Sequence, residues 1–150
     1  MPPARRGRSE PDAVTPAILI NIDVDDLDRA VAFYASLLEL KVGRSFGASG
    51  IELVGGSAPL YLLVKAAGTA TSPASSERRR YARHWTPVHL DFAVPDLEKA
   101  VATALAAGAT QDKAPETHAW GRIAHMADPF GHGFCLIQFV GRGYDEVATQ

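Results

Sequence analysis

With 150 residues, 47% of them hydrophobic, the chain suits one domain of ordinary size or two small modules sharing a core. A formal net charge of -2 signals no polyanionic partner, which sets nucleic acid aside, and no apolar run approaches the ~18 residues of a membrane span. Cys135 is the only cysteine, so no intrachain disulfide can form and a reducing cytoplasm is the natural compartment.

In chain order, residues 1–16 hold prolines, arginines and a glycine without an apolar centre, and are expected to be a disordered tail. Leu19–Val24 alternates with period two, as a strand with two different faces does. Asp25 or Asp26 then offers a carboxylate to the free N–H groups of a helix whose apolar face is Leu27, Ala30, Val31, Tyr34 and Leu38. Three short strands follow, Lys41–Phe46, Gly50–Val54 and Pro59–Val64, each bounded by Gly, Ser or Pro. Residues 17–65 thus read as βαβββ. Residues 66–86 read as a linker, with Arg78–Arg80 forming a solvated face.

Residues 87–140 repeat the pattern. His89–Val94 is a second alternating strand, Asp96 a second cap, and Leu97, Ala100, Val101, Ala104 and Leu105 a second helical face that Gly108 can end. Ala109–Lys113, Gly121–Ala127 and Phe134–Val140 are the later strands, with a turn at Asp128-Pro129-Phe130-Gly131-His132-Gly133. Residues 141–150 read as a polar tail. At an offset of 70 residues, Val24, Asp26, Leu27, Ala30, Val31 and Ala32 fall on Val94, Asp96, Leu97, Ala100, Val101 and Ala102, so the chain contains one unit twice. The fold class is α+β, two tandem βαβββ modules. The apolar strand faces (Ile20, Ile22, Val24; Leu90, Phe92, Val94) pack on the helices. Leu19, Asn21 and Asp23, with His89, Asp91 and Ala93, are left for another purpose.

The chain resembles the vicinal oxygen chelate superfamily, the glyoxalase/bleomycin resistance/extradiol dioxygenase group, in its glyoxalase-like branch. The resemblance covers roughly residues 17–139. It rests on Val24-Asp25-Asp26-Leu27 with Ala32-Phe33-Tyr34, on His89 through Leu97, on Trp120-Gly121, on Asp128 through His132, and on Phe134-Cys135-Leu136. It implies two sheets curved into a half-open cup, lined by the strand faces that point away from the helices.

Metal-using members of that superfamily bind one divalent ion with a ligand from the first and last strand of each module. Carried over by motif, the first-strand position of copy two is His89, and its counterpart in copy one is Leu19, a hydrocarbon. The last-strand position of copy two falls on Cys135, and Leu60–Val64 supplies no carboxylate or imidazole. The resemblance therefore implies a degenerate metal site and no cofactor, one divalent ion near His89 being the weaker alternative. His132 reads as a solvated turn residue and His125 as a structural histidine, and nothing in the sequence fixes His84.

The candidate ligand-binding residues are His89, Asp91 and Asn21 as polar points, with Trp120, Cys135 and Tyr61 as walls; Asp91 can orient the His89 imidazole. The expected function is binding of a small organic ligand in the cup without the usual metal. The alternative is a metal-dependent lyase, isomerase or dioxygenase acting on a carbonyl or vicinal-oxygen substrate. A half-open cup leaves strand edges and apolar surface that a partner covers, so a homodimer is expected.

Overall fold

The computed structural model describes residues 15–150. All but the last two residues of the expected N-terminal tail lie outside that range. The first module runs β1 (Ile20–Val24), α1 (Leu27–Leu38), β2 (Lys41–Ser45), β3 (Gly50–Val54) and β4 (Leu60–Val64). The second runs β5 (Leu90–Ala93), α2 (Leu97–Ala106), β6 (Thr110–Gln111), β7 (Glu116–His118), β8 (Gly121–Ala127) and β9 (Gly133–Phe139). The sheet orders are β1-β4-β3-β2 and β5-β9-β8-β6, the same path in both halves. In each, the first strand lies parallel to the last and the others are antiparallel. The second sheet gains β7, which pairs with β8 and has no counterpart in the repeat.

The offset of 70 extends to hydrogen bonds. Asp26 accepts from the Arg29 N–H and Asp96 from the Lys99 N–H, each over 3.1 Å, with N-cap dihedrals that agree within a few degrees. The helix ends differ. Gly108 takes φ +105 after α2, whereas Glu39 holds the left-handed position after α1 at φ 53.

The buried face of α1 is Ala30, Phe33, Tyr34 and Leu37, and that of α2 is Leu97, Ala100 and Ala104. Both belong to one apolar core that includes Val24, Leu53, Leu60 and Leu62 of the first module and Met126, Phe134 and Leu136 of the second. Phe33 meets Phe134 edge-on at 6.0 Å, so an α1 ring packs on the partner module's last strand. The edge strands β1 and β5 face each other across a seam without a shared ladder, and clefts open beside it. Among the described residues no helix is long and apolar enough to cross a membrane.

The segment joining the modules is not a free linker. Tyr81 donates to the Lys65 carbonyl over 2.5 Å and lies edge-on to Phe130 at 6.3 Å. His84 forms a backbone bridge with His132, donating to the Gly131 carbonyl over 2.9 Å and accepting from the Gly133 N–H over 3.0 Å. The solvated-face reading of Arg78–Arg80 fails at Arg79, whose side chain is 14% exposed and pairs with Asp23 over 2.7 Å. The C-terminal tail is also anchored, Tyr144 meeting Phe139 at 4.8 Å.

Candidate functional site

Strand pairing builds the concave face row by row. In the second module Asp91 of β5 stands opposite Cys135 of β9, and Cys135 opposite His125 of β8. The three side chains therefore share one face, perpendicular to the strands. His89 precedes β5 by one residue, and its Nδ1 donates to Asp91 Oδ1 over 3.1 Å. Cys135 is buried, and its thiol is pushed up to about 12, first by burial and then by the charge of Asp91 and a hydrogen bond to it. His125 Nδ1 is buried without a partner.

The same row in the first module is Asn21, Tyr61 and Glu52, from β1, β4 and β3. Glu52 is 3% exposed, and the Arg44 guanidinium donates to it over 2.8 Å and the Arg44 N–H over 3.0 Å. The Arg44 hydrogen bonds hold the Glu52 carboxyl at about 2, far below its ordinary range, against the opposing effect of burial. The Tyr61 hydroxyl donates to the same carboxylate over 3.0 Å. This acidic group, which sequence reasoning missed, carries a signal in hindsight: Glu52 is the lone charge between Ile51 and Leu53.

Residues 79–86 form a strap tied to the turn before β9 through the His84–His132 bridge. The Trp85 indole N–H donates to Asp112 over 3.1 Å, and its ring meets His89 at 5.6 Å and His125 at 6.0 Å. Arg83 lies over the Trp85 ring, 4.9 Å from its centroid, and pairs with Asp112. Gly133 permits this approach, because a Cβ there would lie 2.5 Å from the indole. Beside the strap is a cleft of about 430 Å³. Asn21 and Asp23 line it from the first module, His89, Phe92 and Phe134 from the second, and His84 and Thr86 from the strap. A second cleft of about 340 Å³ lies between Leu40, Leu60 and Asp91.

Of the six sequence-predicted residues, His89, Asp91 and Cys135 come together, with one donor atom from each within 4.8 Å of the others. Asn21 lines the main cleft with His89. Tyr61 is committed to Glu52 and Arg44. Trp120 is elsewhere, stacked on His118 at 5.2 Å and beside Tyr144 at 5.3 Å.

An ion held from both modules, as the superfamily's metal users hold one, does not fit these residues. The second module supplies a His–Asp pair and the buried Cys135 thiol, all on one face. On the first module Leu19 is an exposed hydrocarbon, and the carboxylate of Glu52 is neutralised by Arg44.

Comparison with known proteins agrees with this architecture. The family described as glyoxalase-like domain matches residues 19–137. No curated protein matches the chain. Among solved structures, the fosfomycin resistance protein FosX of Listeria monocytogenes is similar at a TM-score of 0.66 and 15% identity, covering 89% of this chain and 98% of that one. TioX of Micromonospora sp. ML1 is similar at 0.61 and 16% identity, covering 84% and 100%. A glyoxalase/bleomycin resistance protein/dioxygenase family enzyme of Burkholderia phytofirmans PsJN is similar at 0.59 and 20% identity, covering 81% and 97%.

Proposed function

The chain belongs to the glyoxalase-like domain family, and on that premise we propose that it binds a small, partly apolar organic molecule between its modules without the metal of its catalytic relatives. What supports this reading is the cleft of about 430 Å³, a size suited to such a ligand, with Phe92 and Phe134 on one side and Asn21 and His89 as polar points. In this reading Asp91 fixes the His89 ring, so that Nε2 is left to meet the ligand. Asn21 offers an amide from the other module, so the ligand is gripped from both. The metal-dependent lyase, isomerase or dioxygenase alternative needs donors from the first module that Leu19, Asn21 and Tyr61 do not supply.

A thermal-shift screen of aromatic antibiotics, thiol conjugates and α-keto acids tests the proposal; antibiotics are included because a fosfomycin resistance protein shares the fold. A hit is then titrated against His89→Phe and Asp91→Ala. Loss of one hydrogen bond costs about 1–3 kcal/mol, roughly five- to a hundredfold in affinity. An affinity unchanged in both folded variants would place the ligand elsewhere.

The same reading includes a homodimer. Val42 and Phe46 are exposed at the β2 end of the first sheet, where an unpaired edge meets apolar surface. Light scattering should return twice the 16.0 kDa chain mass, and a monomer at micromolar concentration would refute it.

A further inference from the structure

We infer that His84 and His132 form a binding site for one borderline divalent ion (the class of Zn²⁺, Ni²⁺ and Cu²⁺), separate from the trio of His89, Asp91 and Cys135. The outer nitrogens of both rings point at carbonyl oxygens. His84 Nδ1 is 2.8 Å from the Ala82 carbonyl oxygen, and His132 Nε2 is 2.7 Å from that of Asp23. A carbonyl oxygen only accepts, so both outer nitrogens carry hydrogen. The inner nitrogens, His84 Nε2 and His132 Nδ1, then face each other over 3.3 Å, and each neutral ring presents a lone pair there. Two lone pairs at that distance need a positive centre between them.

A single proton can serve, and so can a metal ion. Two imidazole nitrogens bound about 2.0–2.1 Å from one tetrahedral ion stand about 3.3 Å apart, which is the separation found. Imidazoles whose outer N–H groups are tied to carbonyls are oriented as metal-ligating histidines are. The two rings are held before any ion arrives, because the backbone bridge locks the strap to the turn. Gly131 makes that contact possible, since it has φ +85 and a Cβ would lie 2.2 Å from the Ala82 oxygen.

Both histidines border two clefts, so water or a ligand atom can complete the coordination shell. Beside them Arg79 pairs with Asp23 and Arg83 with Asp112, Tyr81 presents its ring to His132 at 6.1 Å, and Glu77, Arg78 and Arg80 also line the second cleft. Two imidazole nitrogen donors favour borderline ions over Ca²⁺ or Mg²⁺, which prefer oxygen ligands.

The test is titration of the full chain at neutral pH with Zn²⁺ by calorimetry, and with Co²⁺ by absorption. About one equivalent should bind, with a Co²⁺ spectrum lacking a thiolate charge-transfer band. His84→Ala and His132→Ala should each weaken binding by at least about tenfold, while His89→Ala and Cys135→Ser leave it unchanged. His84→Ala, on the strap, decides the matter if the turn variant fails to fold. Absence of uptake, survival of binding in folded His84→Ala, or its loss in His89→Ala or Cys135→Ser would each overturn the inference.

Discussion

The Tyr34 hydroxyl of α1 donates over 2.5 Å to Oδ2 of Asp128, a residue 94 positions later in the other module. The second carboxylate oxygen, Oδ1, accepts from the Phe130 N–H over 2.8 Å and the His132 N–H over 2.9 Å. One buried carboxylate thus shapes the turn before β9 and fastens it to the first module's helix.

Tyr34→Phe leaves Asp128 Oδ2 buried with nothing to accept from, which should cost about 1–3 kcal/mol. Urea unfolding checks this as a lower midpoint at unchanged slope. The pH dependence adds a sign. Burial, followed by the Asp128 charge, raises the Tyr34 hydroxyl well above its ordinary value of 10.0. The folded state keeps the proton where the unfolded chain loses it, so this stabilisation is complete below pH 10.0 and declines as pH rises beyond it. Tyr34→Phe should remove that part of the alkaline decline.

Glu52 supplies the opposite case. Its carboxyl falls from 4.5 to about 2 in the folded protein, first through the Arg44 hydrogen bonds. A depressed acid contributes stability above its unfolded value and loses it as pH drops toward the folded one. The wild type should therefore lose stability between about pH 4.5 and 2 in a way that Glu52→Gln does not. Denaturant midpoints across that window decide; parallel acid profiles would refute the assignment.

The contact between Gly133 and Trp85 predicts a change at the strap. A methyl group at Gly133 would stand 2.5 Å from the indole, so Gly133→Ala must push Trp85 away from the sheet. The tryptophan emission should shift to the red in that variant, and Trp120→Phe in both backgrounds removes the second indole from the signal. An unshifted spectrum would mean that the sheet yields instead.

The repeated unit was legible because its signals are local. Period-two strands, an Asp before each helix and a Gly-rich turn depend on neighbours in sequence, and the first strand, its Asp and the helix recur at an offset of 70 residues. β7 was not legible, since Glu116–His118 has no apolar alternation and forms by pairing with β8. The strap was hidden for a similar reason: Tyr81, His84 and Trp85 reach Phe130, His132 and His125, dozens of residues away, and their flanks resemble a linker in composition. At the site, alternation alone placed Asp91 with His89 on one strand face and Asn21 at the matching row of the first module, and the strand pairing has them there. Trp120 stands apart from them, and its place in the motif does not reveal the stack with His118 and the contact with Tyr144. Glu52 was not legible as a member of that row, because it lies on β3 and not on the first or last strand that the resemblance marks.

Cys135 gives the last prediction. A cysteine beside a histidine and an aspartate on a concave face invites a reading as nucleophile or metal ligand, and both roles need the thiolate. Burial, reinforced by the neighbouring Asp91 carboxylate, pushes the thiol up to about 12, so at pH 8 almost none of it is ionised. The folded protein should therefore react very slowly with a disulfide reagent at pH 8, and a full equivalent should react once denaturant is added. Asp91→Asn removes a negative charge beside the sulfur while leaving its burial in place. It should speed the reaction modestly, without approaching the denatured rate, because burial is the larger cause. Rapid stoichiometric labelling of the native protein would contradict the protonated thiol.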